Sequence, residues 1–186
     1  MGYIMSSLIS SGSASGTGSM TLAAPVTNSN QTATLPDATG TVMVSGNMPA
    51  FSYYASTNAQ SITSGAFTKI TFTSQEFDTT SGAMFSSSRF TPTIAGYYQI
   101  DACVGLSSSA LGICLVTIFK NGNRFKDGAI IPNSGGANCP ASALIYFNGS
   151  TDYAEIFLYQ SSGSTLTVSV NAGSAGFFQG ALVRTA

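Results

Sequence analysis

The sequence predicts an all-β sandwich, and three observations predict it. Short runs rich in Val, Ile, Thr, Tyr and Phe alternate in polarity with a period of two. Turn-forming clusters separate these runs at steady intervals, and no segment shows convincing helical periodicity. About ten such runs in one chain point to a jelly roll or a related sandwich.

Composition narrows the function classes. Charged residues make up 7% of the 186 residues, against roughly 25% in an ordinary soluble domain. Ser, Thr, Gly, Asn and Gln stand in their place, while Tyr and Phe stay plentiful. Such a surface suits extracellular or virion proteins, and subunits that bury much area against one another. The net charge of −1 gives no electrostatic attraction for nucleic acid or an anionic membrane. Thr and Gly interrupt every apolar run before the roughly 20 residues of a membrane span, so no membrane insertion is expected. Met1–Ile9 is apolar but has no basic residues before it, so it is not read as a signal peptide.

Residues 1–48 form a distinct region in which Asp37 is the one charge. Ser11–Ser19 is too poor in apolar mass to fold alone. Met20–Ala24, Gln31–Leu35 and Thr41–Val44 are alternating pieces too small to make a sheet within one chain. They become stable where several chains wind together, so an extended β-rich arm or stalk is expected here, with a partly disordered linker as the alternative. Leu35–Val44 holds an extended segment, a Pro36-Asp37 turn and a Gly40 kink. It resembles a short stretch that recurs in bacteriophage tail-fibre proteins ahead of the next module.

From Pro49 to Ala186 strand-length runs follow one another. Ala50–Tyr54 is the first and Phe67–Phe72 alternates. Phe77–Asp101 organises the rest. Asp78–Gly82 is a turn sequence, because Asp, Ser and Thr bond their own backbone. Pro92 cannot donate to a ladder, so Arg89–Pro92 belongs at a strand edge or end. After Gly96, Tyr98, Ile100, Ala102 and Val104 share one face, and Tyr97, Gln99, Asp101 and Cys103 the other. Ile113–Phe119 is apolar on both faces, as in a strand buried between layers. Lys120–Asn123 signals a tight hairpin. Gly128–Cys139, with Pro132, Gly135 and Gly136, is read as a loop. Ala141–Phe147, Tyr153–Gln160, Thr165–Val170 and Phe177–Val183 complete the strands, with a turn at Asn148-Gly149.

The order of these features resembles the complement C1q-like and tumour-necrosis-factor-like jelly roll over roughly Pro49 to Val183. Phe77–Gly82 followed by Arg89–Tyr98 is similar to the family's hallmark passage. Phe119–Gly122, Leu144–Tyr153 and Phe178–Leu182 are similar to its later turns and final strand. The resemblance implies a ten-stranded jelly-roll sandwich assembling as a homotrimer. It makes Tyr98, Ile100 and Phe178 candidates for trimer packing, and it implies that the strand after Leu106 joins the opposite sheet. Collagen-type Gly repeats are absent upstream, so the Ser/Thr-rich arm would replace the stalk, which fits a phage fibre.

Catalysis is weighed and set aside. With no His, neither a Ser–His nor a Cys–His nucleophile is possible. Glu76 and Asp78 are the nearest carboxylate pair for a glycosidase, and a turn residue with a solvated neighbour is the favoured reading. Some C1q-like relatives hold calcium near the trimer apex; the acidic residues here lack calcium-loop spacing, and no cofactor or metal is expected. The three cysteines Cys103, Cys114 and Cys139 have neither metal spacing nor an even count, so they are not read as a zinc site or a disulfide framework, and Cys103 and Cys114 are read as small buried hydrophobes. Lys120, Arg124 and Lys126 are read as a solvated turn rather than an anion site.

Recognition is the remaining class. The longest loops are Ser107–Leu111, Gly128–Pro140 and Asn171–Gly176, with Ser107, Ser108, Ser109, Asn133, Ser134, Asn138, Asn171 and Ser174 as candidate contacts. The expected function is a non-enzymatic phage tail fibre or receptor-binding tip. Its trimeric head would recognise a host surface glycan or protein, with other virion tail proteins as partners. The expected location is the virion, after assembly in the bacterial host cytoplasm. The alternatives are a purely structural virion module and, less favoured, a polysaccharide-degrading spike.

Overall fold

Alternating polarity along the chain produces strands that each bury one face, and the described residues pair them into two antiparallel sheets. The computed structural model of the protein describes residues 44–56, 60–106, 112–133, 136–169 and 176–186. The chain divides between Thr39 and Gly40, and the described residues all belong to the second unit. Of the expected arm over residues 1–48, residues 1–43 lie outside them, and the rest holds a short 3-10 turn at Ser45–Asn47.

The strands in order are β1 (Ala50–Tyr54), β2 (Ser61–Ile62), β3 (Thr68–Lys69), β4 (Ser74–Asp78), β5 (Phe85–Ser86), β6 (Arg89–Phe90), β7 (Gly96–Leu106), β8 (Gly112–Lys120), β9 (Asn123–Asn133), β10 (Ala137–Phe147), β11 (Ala154–Gln160), β12 (Leu166–Ser169) and β13 (Gly176–Thr185). Four of these thirteen are two-residue bridges, so nine carry the sandwich. The first sheet runs β2-β12-β7-β13-β1-β4, with β10 on the other edge of β7. The second runs β5-β6-β11-β8-β9, with β3 also paired to β11.

As expected, β7 is central and β8 crosses to the opposite sheet. Tyr98, Ile100, Ala102 and Val104 turn inward to meet Cys114, Val116 and Ile118 of β8 and Ile156 and Leu158 of β11 in one core. At one end the core is aromatic. Phe51 stacks on Phe90 at 4.4 Å, and Tyr98 meets Phe90 and Phe147 edge-on at 5.3 and 5.6 Å. Edge-on rings add roughly 0.5–1.5 kcal/mol each beyond the area they bury. The Tyr98 hydroxyl donates to the Ile94 carbonyl at 2.9 Å, so its burial leaves no orphan donor.

Turns follow their residues. Asp78 Oδ1 accepts from the Thr80 amide at 2.7 Å, closing the turn that the sequence places there. Asn121 and Gly122 hold φ of 53° and 76°, and Lys120 faces Asn123 across them, the hairpin that Asn-Gly favours. Asn148 Oδ1 accepts from the amides of Ser150, Thr151 and Asp152 at 2.9, 3.0 and 3.0 Å.

Two expectations are corrected. Gly128–Cys139 is not a loop: β9 continues to Asn133 and β10 begins at Ala137. Pro132 and Pro140 are tolerated because β9 and β10 are edge strands, where a missing donor breaks no inner ladder. Where β9 passes β10, a Cβ at Gly128 would lie 2.0 Å from the Pro140 carbonyl oxygen, so only glycine lets the strands approach this closely. The cysteines are not all reduced: Cys114 of β8 and Cys139 of β10 form a disulfide that ties the two sheets together. Cys103 is free.

Candidate assembly and recognition face

The outward side of the first sheet is where the molecule departs from an ordinary solvated surface. Alternation on β7 points Tyr97, Gln99, Asp101 and Cys103 away from the core, and register sets Tyr146, Leu144, Ser142 and Pro140 of β10 beside them in that order. On the other side of β7 stand Arg184, Ala181, Gln179 and Phe177 of β13. The lower half is apolar and exposed: Tyr97 at 36%, Tyr146 at 43% and Leu144 at 55%. The rings of Tyr97 and Tyr146 lie 5.4 Å apart, and the Arg184 guanidinium stands 5.2 Å over Tyr97.

The centre of the face is polar. Gln99 Nε2 donates to Asp101 Oδ1 and to Ser142 Oγ, each at 2.9 Å, and Ser142 Oγ donates to Asp101 Oδ1 at 2.6 Å. Beside this triplet a depression of about 190 Å³ is bordered by Ala50, Phe77, Gln99, Asp101, Gln179 and Ala181. Cys103 sits half-buried above it, and burial pushes its thiol pKa up, which keeps it protonated and unreactive.

Two further exposed apolar side chains lie on another element. Edge strand β9 shows Phe125 at 45% and Ile130 at 62% exposed. A long edge strand that is exposed and partly apolar is an association site unless something covers it.

The charged groups elsewhere are mostly tied down. Glu155 on the outer side of the second sheet is buried and is held by Lys69 Nζ at 2.7 Å and Arg89 Nε at 2.9 Å. Burial raises its pKa, but the hydrogen bonds and charges of Lys69 and Arg89 outweigh burial and hold it below the ordinary glutamate value. Lys120 pairs with Asp152 at 2.9 Å, and Arg124 pairs with Asp127. The Lys120–Arg124–Lys126 group therefore has two of its cations neutralised within the chain. Lys126 and Arg184 meet no carboxylate among the described residues. The Glu76 carboxylate accepts from Ser52 Oγ at 2.9 Å, and Asp78 accepts from Tyr53 and Thr80, so each serves local structure.

Ser107, Ser108, Ser109, Ser134, Asn171 and Ser174 lie outside the described residues. Asn133 is the last residue of β9 rather than part of a loop. Asn138 is exposed, but on strand β10 opposite Gly105. Tyr98, Ile100 and Phe178 are corrected: all three are fully buried inside the single chain, so no trimer contact is open to them. The period-two alternation that identified Tyr98 also identifies its outward neighbour Tyr97, which the sequence reading left unassigned.

No family model matches the chain, and no curated sequence is similar to it. Solved structures are similar in fold. The crystal structure of murine APRIL at pH 5.0 aligns with a TM-score of 0.54 at 11% identity, covering 74% of this chain and 100% of that one. The structure of Eiger TNF from S. frugiperda aligns at 0.51 and 8%, covering 75% and 93%. The globular domain of zebrafish complement 1qA protein aligns at 0.49 and 14%, covering 75% and 100%. The APRIL and Eiger alignments, with the two antiparallel sheets described above, show the C1q/tumour-necrosis-factor-like jelly roll expected from the sequence.

Proposed function

We propose that the chain is part of a phage tail fibre or similar virion appendage, whose jelly-roll head assembles as a homotrimer and binds a host surface glycan or protein without catalysis. The observation that carries the assembly half is the pair of different exposed apolar patches. One is the Tyr97–Leu144–Tyr146 side of the first sheet, and the other is the β9 edge. Two unlike patches on one chain would allow a head-to-tail contact, which closes into a ring where the rotation allows. The low charge supports the same reading, since hydroxyls and amides cost less to bury than charges. The tail-fibre resemblance of Leu35–Val44 supports the virion setting. A trimer repeats each weak contact three times, and avidity then raises binding by about 10²–10⁴ without new chemistry.

The full chain is expected to sediment at three times its 19.0 kDa at micromolar concentration. It is also expected to bind whole bacteria or their purified surface polysaccharides, with loss of binding when residues 107–111 are replaced by a Gly-Ser linker. Sedimentation as a single chain overturns the trimer. A trimer that binds none of these surfaces leaves the structural-module reading, which one observation favours. Asn138 stands on the same sheet face as the proposed contact, where assembly would cover it rather than present it. Release of reducing sugar from the polysaccharide would revive the degrading-spike reading.

A further inference from the structure

Among the described residues Asp101 has no ion pair, and neither does Lys126, and they lie on different elements of different sheets. Asp101 borders the central depression of the first sheet's outward face, and no cation among the described residues is within ion-pair distance of it. Its Oδ1 is satisfied by Gln99 and Ser142, while Oδ2 accepts no hydrogen bond among the described residues. Lys126 is exposed on edge strand β9, next to the exposed Phe125 ring, 5.5 Å from its ammonium.

We propose that the depression beside Asp101 receives Lys126 from a second copy of this chain. This rests on the assembly reading given above and specifies its contact. The depression suits that side chain in size and in chemistry. About 190 Å³ is the space of roughly six waters, enough for one long side chain. Phe77, Ala50 and Ala181 offer apolar walls for a lysine stem, while Asp101, with Gln99 and Gln179 beside it, offers acceptors for the ammonium.

Arg184, the other cation without a carboxylate, does not fit the role. It lies on the same sheet face as Asp101, stacked on Tyr97, so its use would bring two identical faces together and give a twofold dimer. Lys126 sits in the other sheet, on a different element, and its contact is head-to-tail. Enclosure by Phe77 and the neighbouring copy would strip water from the pair, so its partners should be sensitive to truncation and to sign.

The experiment uses the full chain and sedimentation over a concentration series. Lys126→Ala and Lys126→Glu leave the Gln99–Asp101–Ser142 triplet intact, and each is expected to raise the trimer dissociation midpoint at least about tenfold. Asp101→Lys is expected to do the same, and Asp101→Lys combined with Lys126→Glu to bring the midpoint back towards wild type. If Asp101→Lys does not fold, the Lys126 variants still decide. A wild-type trimer whose midpoint is unmoved by Lys126→Glu overturns the pairing and leaves trimerisation standing. A folded double variant that fails to recover also overturns the pairing. A wild-type chain that sediments as a monomer overturns both the pairing and the assembly reading, and a wild-type dimer replaces Lys126 with the Arg184 geometry.

Discussion

Glu155 shows what a single residue contributes when charge is scarce. It is buried on the outer side of the second sheet, and two cations 34% and 44% exposed reach down to it. Its folded pKa lies below the ordinary glutamate value, so its contribution to stability is complete above that value. The contribution is lost as pH falls through the lower folded value. Asp127, lowered first by its hydrogen bond from Arg124, acts in the same direction. So does Asp152, where burial is outweighed by Asn121, Lys120 and the Asn148 amide. At the alkaline end, burial pushes Tyr98 up to about 12, and burial with the Asp78 hydrogen bond does the same for Tyr53. For these raised groups stability is complete below about pH 10 and falls above it. Urea melts across pH are therefore expected to decline from about pH 4.5 downward and from about pH 10 upward. Glu155→Gln is expected to flatten the acid limb alone, and an acid limb unchanged in that variant would remove Glu155 as its source.

At the scale of elements, the disulfide between β8 and β10 is the strongest single constraint. It joins residues 25 apart in sequence and clips the two sheets together. Loop-closure entropy for that length is worth about 3.5 kcal/mol. The Cys114→Ala/Cys139→Ala double variant is expected to lose about that much in urea melts. Dithiothreitol is expected to cost the wild type a similar amount, and to cost the double variant nothing. An equal loss in both proteins would mean that the bridge does not form in solution.

The bridge also marks where sequence reading ran out. Strand period, turn chemistry and the Asn121-Gly122 hairpin depend on neighbours in sequence, and all were legible. The pairing of Cys114 with Cys139 depends on two strands from different sheets meeting in the core, and spacing carries no trace of that. For the same reason Gly128–Cys139 reads as a loop from its Pro and Gly content. Its prolines sit on edge strands, and Gly128 is required by the neighbouring strand rather than by a turn. Of the candidate site, the alternation on β7 was legible, but not that the single chain itself buries Tyr98, Ile100 and Phe178 and leaves Tyr97 outward.

At the scale of the whole molecule, the two faces of that one sheet give the assembly reading its sharpest test. Tyr98 and Leu144 are both apolar and both on the β7–β10 pair, yet one is fully buried and the other 55% exposed. A carboxylate placed at Tyr98 would sit unpaired in the core, which costs several kcal/mol and unfolds the chain. A carboxylate at Leu144 would be solvated in a lone chain, with a stability change within about 0.5 kcal/mol. In a trimer that packs on this face it would be stranded in an apolar contact three times over. Leu144→Asp is thus expected to keep the β-sheet circular dichroism of the wild type while sedimenting as a 19.0 kDa species. Tyr98→Asp is expected to lose the spectrum itself. A Leu144→Asp protein that stays trimeric would move the interface off the first sheet, and with it the place where Lys126 is expected to dock.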